Sequence, residues 1–180
     1  MFIIVITGSP HIKGTSALLA DRFCAGAKEA GHEVTRFDAA FSRVAACLGC
    51  DHCRVEATRY QCVHTDAMEN LNSHLLQSDL LVFVTPLYYF GMSAQLKTVI
   101  DRFYANNSRL QGGKKTILLA TAADDQESTL NALVAHYQTM IGYMRWEDAG
   151  ILLALGVSTR EDIEATDYPN QAWHLGRNLS

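Results

Sequence analysis

Four of the five cysteines fall in one short stretch, Cys47-x2-Cys50-x2-Cys53-x8-Cys62. Thiols at such spacing are soft ligands or redox groups, and in a reducing compartment a cluster of them points to metal binding or redox work before structural disulfides. A second stretch concentrates small and hydroxyl-bearing residues, Gly8-Ser-Pro-His-Ile-Lys-Gly-Thr-Ser16. It stands between an unbroken apolar run, Phe2–Thr7, and a helical pattern of Ala, Leu and Phe. A strand, a small-residue loop and a helix N-terminus leave free N–H groups and the positive end of a helix dipole facing whatever sits in the loop. That chemistry suits the phosphate of a nucleotide or flavin. The loop is not a dinucleotide fingerprint, because no G-x-G-x-x-G occurs in it. Nor is it a Walker A loop, because Lys13 precedes Gly14 instead of following it.

These residues need a scaffold, and the periodicity of the chain supplies one. Phe2–Thr7 and residues 79–85 are apolar on both faces, as is much of 115–121, so they read as strands buried on both sides. Residues 33–38 alternate and read as a strand at or near a sheet edge, and a fifth strand lies within 146–155. Helices are expected between them. The first is capped by Thr15 or Ser16, carries Leu19, Phe23 and Ala27 on one face and stops at Gly31. The second covers about 66–77. The third carries Met92, Leu96, Val99, Ile100 and Phe103, with Lys97 and Asp101 as an i,i+4 pair. The fourth carries Leu130 to Ile141. A short closing helix has Pro169 in its first turn, with Ala172, Leu175 and Leu179. Residues 39–65 show no clean periodicity. Their length marks a functional loop.

Strand and helix alternate five times, which is the pattern of a parallel sheet covered by helices on both faces, in one α/β domain over residues 1–180. In such sheets ligands gather outside the carboxyl ends of the strands. The loops at 8–14, 86–92 and 122–127 reach that edge, and the cysteine loop follows the second strand. Pro86-Leu-Tyr-Tyr-Phe-Gly91 brings three consecutive aromatics there. Consecutive residues cannot all face one core, so they read as pocket residues.

Composition narrows the function classes. A net charge of −4 gives no reason to expect nucleic acid or an anionic membrane as partner. No apolar run approaches the roughly 18 residues of a membrane span, and Phe2–Thr7 is too short for a signal-peptide core. A cytoplasmic protein is expected.

The three stretches Gly8–Ser16, Cys47–Cys53 and Thr85-Pro-Leu-Tyr-Tyr-Phe-Gly-Met-Ser-Ala-Gln-Leu-Lys-Thr-Val-Ile-Asp-Arg102 together resemble the NADPH-dependent FMN reductase family, close to its iron–sulfur flavoprotein branch. The resemblance runs from residue 2 to about 125, and Gly156-Val157 and the final helix extend it. It implies a flavodoxin-like three-layer sandwich with a five-stranded parallel sheet in the order 2-1-3-4-5. It further implies an FMN-binding oxidoreductase that takes hydride from NAD(P)H and passes electrons to a small aromatic acceptor, with no catalytic side chain beyond the flavin. Ser9, His11, Thr15 and Ser16 would hold the FMN phosphate, with Lys13 and Gly14 shaping the loop. Pro86, Leu87, Tyr88, Tyr89, Phe90 and Gly91 would run along the isoalloxazine, and Ala122 would meet it from the fourth strand. Asp124 and Asp125 depart from the glycine-rich loop usual there. Lys97, Asp101 and Arg102 match the family pattern as structural residues, with Arg102 at a subunit contact, and a homodimer or homotetramer is implied.

The cysteines keep three readings. Cys47, Cys50, Cys53 and Cys62 would hold a [4Fe–4S] cluster by resemblance to the iron–sulfur flavoproteins, although the last gap is longer than that motif shows. Cys50, Cys53, Cys62 and His64 would make a tetrahedral zinc set. The thiols could instead be free beside the flavin and redox-active, or pair as a Cys50–Cys53 disulfide under oxidation. Cys24 reads as packing on the first helix, and His52 and His64 as loop histidines. Two further function classes stand beside the oxidoreductase. One is an electron-transfer carrier with FMN and a cluster, and the other a sensing module that keeps the fold without flavin.

Overall fold

The computed structural model describes residues 1–179. In chain order its elements are β1 (Phe2–Thr7), α1 (Thr15–Glu29), β2 (Glu33–Asp38), α2 (Met68–Gln77), β3 (Leu80–Tyr88), β4 (Gly91–Met92), α3 (Ala94–Asp101), α4 (Asn107–Leu110), β5 (Lys115–Thr121), α5 (Asn131–Met144), β6 (Glu147–Ala154), α6 (Arg160–Glu164) and α7 (Tyr168–Arg177). Short 3₁₀ turns at His52–Arg54 and Glu56–Thr58 interrupt the cysteine loop.

The sheet runs β2-β1-β3-β5-β6, with every neighbouring pair parallel. Counted without the two-residue β4, this is the expected order 2-1-3-4-5. The apolar runs are buried on both faces because alternate residues feed two cores. Ile4, Ile6, Leu81, Phe83, Leu118 and Ala120 pack with α2, α3 and α5. Ile3, Val5, Leu80, Val82, Val84, Ile117 and Leu119 pack with α1, α6 and α7. On that second face α1 and α7 touch backbone to backbone. A Cβ at Gly26 would stand 2.1 Å from the Trp173 carbonyl oxygen, and one at Gly176 would stand 2.3 Å from that of Phe23.

Three sequence expectations change. Neither Thr15 nor Ser16 caps α1: Gly14 holds the cap position and no side chain bonds the helix end. The strand expected to stop at Thr85 continues to Tyr88. A proline has no N–H for the ladder and so reads as a stop, yet Pro86 stays in register with Thr121. The chain then turns at Tyr89 and Phe90, both at positive φ (46° and 64°), and returns antiparallel as β4. The aromatic loop is therefore a hairpin. The five-residue α6 was not anticipated. It is held by a capping box in which Thr159 accepts from Asp162 N, and the Asp162 carboxylate accepts from Thr159 N.

Candidate functional site

The loop after β1 is bound tightly to the sheet edge. Gly8 N donates to Val84 O (2.8 Å), and Ser93 Oγ donates to Gly8 O (2.8 Å). A Cβ at Gly8 would fall 2.2 Å from Ser93 Oγ, so only glycine fits between β1 and the start of α3. Within the loop, His11 N donates to the buried Ser9 Oγ (3.1 Å) and Gly14 N to His11 O (3.0 Å). The first bond of α1 runs from Leu18 N to Gly14 O. The amides of Thr15, Ser16 and Ala17 therefore open the helix with no carbonyl above them. Thr15 Oγ1 donates to Thr121 Oγ1 (3.0 Å), tying the helix start to the end of β5. Ser16 Oγ is buried and has no partner. A buried helix end with three open amides, no cap and an unpaired hydroxyl beneath it is a place for an anion.

A cavity of about 700 Å³ opens over this helix end. That is within the range of small-molecule and cofactor sites. Of the residues singled out in the sequence, Ser9, His11, Lys13, Gly14, Thr15, Pro86, Leu87 and Tyr88 line it. Ser16 is buried and is not among its lining residues. Tyr89 and Phe90 form the hairpin turn and Gly91 opens β4, all outside the lining, with Tyr89 98% exposed. Ala122 is buried behind the wall, where its N–H and C=O bond Ala154 and Val157, and the neighbouring Thr121 and Ala123 face the cavity instead. Asp124 and Asp125 are outside it too. Asp124 accepts from Gln126 N (3.0 Å) and Thr129 Oγ1 (2.8 Å), which hold its carboxyl below the usual range. The sequence reading missed Val157, Ser158 and Arg160, which close the far side. They follow β6 as the other site loops follow their strands, and that rule alone could have located them. Arg160 pairs with Glu164 at 2.5 Å.

The cysteine loop is built differently. Arg102, which is almost fully buried, reaches into it. Its Nη1 donates to Ala45 O (2.7 Å) and Asp66 Oδ2 (2.7 Å), and its Nη2 donates to Asp66 Oδ1 (3.3 Å). Burial would push the Asp66 carboxyl up. The hydrogen bonds from Arg102 and from the amides of Ala45 and Met68 outweigh it and hold that carboxyl below its ordinary value. Arg102 is thus an internal anchor and not the subunit contact the resemblance implied: it ties the loop, at Ala45 and Asp66, to the end of α3.

Cys47, Cys50, Cys53 and Cys62 all line one small cavity, of about 20 Å³, together with His64 and Arg102. Four thiols suit a cluster in kind and number, but the space between them holds only one water. Among the described residues no three His, Cys, Asp or Glu side chains stand together as a metal-ligand set. The tetrahedral zinc set is therefore not assembled, and His64 Nε2 lies 3.1 Å from the Ala46 carbonyl oxygen instead. None of the cysteines is in a disulfide, including Cys50 and Cys53. Cys24 packs on α1, where burial pushes its thiol up to about 11.

No helix among the described residues is long and apolar enough to cross a membrane.

The comparisons with known proteins agree with this architecture. The chain is 31% identical over 128 residues to an iron–sulfur flavoprotein of Methanocaldococcus jannaschii, a match covering 69% of this chain and 63% of that one. It is 26% identical over 120 residues to an FMN-dependent NADH:quinone oxidoreductase of Hydrogenovibrio crunogenus, covering 59% and 57%. The matched stretch is thus less than two thirds of either relative's own length. Among solved structures, an NAD(P)H:quinone oxidoreductase from Methanothermobacter marburgensis superposes over 100% of this chain and 99% of that one, with a TM-score of 0.72 at 18% identity. The profile described as flavodoxin-like fold matches residues 1–174, and the chain belongs to that family.

Proposed function

We propose that this chain is an FMN-binding, NAD(P)H-dependent oxidoreductase acting on a small aromatic acceptor of the quinone type. The observation that carries the reading is the uncapped start of α1. That helix start adjoins a cavity large enough for a flavin mononucleotide, which Gly14 and Thr15 line, and the buried Ser16 hydroxyl next to them has no partner. The residues fit the group. The phosphate would sit on the amides of Thr15, Ser16 and Ala17 with the hydroxyls of Ser9, Thr15 and Ser16, and Lys13 and His11 would stand at the rim. Pro86, Leu87 and Tyr88 would give the wall for the ring system, with Thr121 and Ala123 opposite. FMN, when bound, supplies the hydride acceptance from NAD(P)H and the electron delivery to the acceptor. The chain's own part is to bind, orient and shield. Fixed backbone dipoles along Pro86–Tyr88 would stabilise negative charge on the ring without reorganising. The names of the two relatives, a flavoprotein and an FMN-dependent quinone reductase, support the same reading. A cytoplasmic homo-oligomer fits it as well.

The test is FMN titration of flavin-free protein, followed by loss of flavin fluorescence. One equivalent should bind, and Thr15→Ala with Ser16→Ala should weaken it by about 1–3 kcal/mol through lost donors to phosphate. Unchanged affinity in the double variant would remove this loop as the phosphate site.

A second reading rests on the convergence of all four loop cysteines on one cavity. With a [4Fe–4S] cluster on Cys47, Cys50, Cys53 and Cys62, the chain would be an electron-transfer carrier. Iron and acid-labile sulfide in anaerobically purified protein would support it, and their absence would leave the first reading alone.

A further inference from the structure

A cationic notch stands beside the cysteine loop, and neither the flavin nor the cluster reading uses it. Arg54 and Arg59 come from the turns of residues 52–60, and Arg109 comes from α4 on the body of the protein. The Arg54 guanidinium lies over the Tyr104 ring at 5.3 Å, while Arg59 and Arg109 both lie over the Tyr60 ring, at 5.4 and 5.1 Å. Stacking holds each guanidinium flat and leaves N–H edges for another partner. Among the described residues none of these three is in an ion pair with a carboxylate, whereas Arg36, Arg102 and Arg160 each are. Asp51 does reach the group, by accepting from the Tyr104 hydroxyl (2.9 Å), which itself accepts from Arg54 (2.8 Å). Arg109 also donates to Asn106 Oδ1 (3.2 Å).

Beside these residues is a cavity of about 160 Å³, lined by Cys53, Arg54, Arg59, Tyr60, Tyr104, Ala105, Asn107 and Ser108, with Arg109 outside the lining and over the Tyr60 ring. No carboxylate lines it. Two guanidiniums and the Asn107 amide line it as hydrogen-bond donors, while the Tyr104 proton goes to Asp51 and the Ser108 hydroxyl is bonded to Tyr60. The Tyr60 phenol is held below its usual value by a hydrogen bond from Ser108 and then by the Arg59 and Arg109 charges. Tyr60 also has a φ of 67°, a left-handed position that a tyrosine rarely takes. Strain of this sort persists where the surroundings impose it, often at ligand clamps.

We propose that this notch is an oxyanion site for a phosphate group, either pyrophosphate or the phosphate end of a small phosphorylated molecule. A carboxylate is satisfied by one guanidinium. A doubly charged tetrahedral anion uses several donors from different directions, as this ring provides. The volume takes the phosphate group alone, so any remainder of the molecule lies outside. Cys53 and Tyr104 line both this notch and the cysteine cavity. An anion bound between Arg54 and Arg59 on one side and Asn107 and Ser108 on the other would therefore tie the turns of the cysteine loop to α4.

Calorimetric titration with pyrophosphate, and separately with inorganic phosphate, tests the site in protein saturated with FMN, so that the cavity over α1 is filled. One saturable site is expected for pyrophosphate. Arg54→Gln with Arg59→Gln should weaken it about ten-fold or more, and Arg109→Gln, outside the lining, should weaken it less. Arg54→Lys with Arg59→Lys should recover part of the affinity, because charge returns without the fork. Matching unfolding midpoints will show that the variants are folded. Absence of saturable binding would overturn the proposal. So would binding that survives the glutamine variants, or binding abolished by physiological salt, which would mark diffuse counter-ions. Titrating the Thr15→Ala, Ser16→Ala variant separates this proposal from the flavin reading: loss there, with the arginine variants unaffected, would assign the anion to the α1 loop.

Discussion

Two loops leave the same edge of the sheet and are built on opposite plans. The loop after β1 is short, and its polar groups are fixed before anything binds: Gly8, His11 and Gly14 give their amides to neighbouring oxygens, and Ser93 Oγ closes on Gly8 O. What it leaves open is a helix end. The loop after β2 spans residues 39–67, and its functional groups are side chains instead of backbone. Cys47 and Cys50 are exposed, Cys53 and Cys62 half-buried, and the cavity among them holds one water. The first plan presents preorganised donors to a ligand that arrives ready-made. The second presents ligands that a bound group would itself have to draw together, which couples binding to local folding. The buried tie of the second loop is Arg102 to Asp66 and Ala45.

The largest effect should come from cutting that tie. Arg102→Ala removes one partner of a buried pair and strands Asp66, which typically costs about 3–5 kcal/mol. Urea unfolding should show the loss, and alkylation of Cys47, Cys50, Cys53 and Cys62 should speed up. FMN affinity should change little, because the α1 loop has its own bonds. A fall in FMN affinity as large as the fall in stability would break the separation of the two loops. The pair also has a pH signature. The Asp66 carboxyl lies below its ordinary value in the folded protein, so its stabilisation is fully present above the unfolded carboxylate value of about 4. It is lost as pH falls through the lower folded value. Acid should therefore loosen the cysteine loop in the wild type, and Arg102→Ala should flatten that dependence.

A smaller effect tests the preorganised loop. Ser16 Oγ is buried and unpartnered, so Ser16→Ala should leave the flavin-free protein as stable or gain up to about 1 kcal/mol, since a group left unsatisfied carries a desolvation penalty. The same change should weaken FMN by about 1–2 kcal/mol, because the hydroxyl finds its partner only in the phosphate. Opposite signs in unfolding and in flavin titration are the expected result. Equal losses in both would mean that Ser16 is a structural residue with a partner the flavin does not provide.

Much of this was legible in the sequence, and the division has physical causes. The parallel sheet and the carboxyl-edge site follow from apolar runs and strand–helix alternation, which are local signals of burial, whereas the strand order came from the family resemblance. Ser9, His11, Lys13, Gly14, Thr15 and Pro86–Tyr88 follow from them, since a loop after a buried strand has nowhere else to go. Arg102 was misread because its partner Asp66 is 36 positions away and no spacing rule links an arginine to a loop. The turn at Tyr89 and Phe90 was missed because a hairpin turn is recognised by Asn or Gly at positive φ, and two aromatics give no such signal. Arg160 was missed because α6 is only five residues long. Its capping box, Thr159 with Asp162, was readable, but no apolar run follows it to mark a helix.

The hairpin gives the smallest and most discriminating prediction. Tyr89 and Phe90 occupy two successive left-handed positions at φ 46° and 64°. Each such position disfavours a side chain with a Cβ by about 1–2 kcal/mol, whereas Asn-Gly adopts this turn readily. Tyr89 is 98% and Phe90 62% exposed, so little burial is lost on replacing them. Tyr89→Asn with Phe90→Gly should therefore stabilise the protein by about 1 kcal/mol, read as a higher urea midpoint at unchanged slope. Leaving FMN affinity alone, it should also lower kcat/KM for flat aromatic acceptors, because the aromatic rim beside the cavity is gone. A stability gain without a kinetic loss would make the aromatics a surface for a neighbouring subunit instead, and the oligomeric state of the variant would then fall. If neither stability nor kinetics changed, the strain would not be real, and the hairpin would rank with the loose loop after β2 instead of the fixed loop after β1.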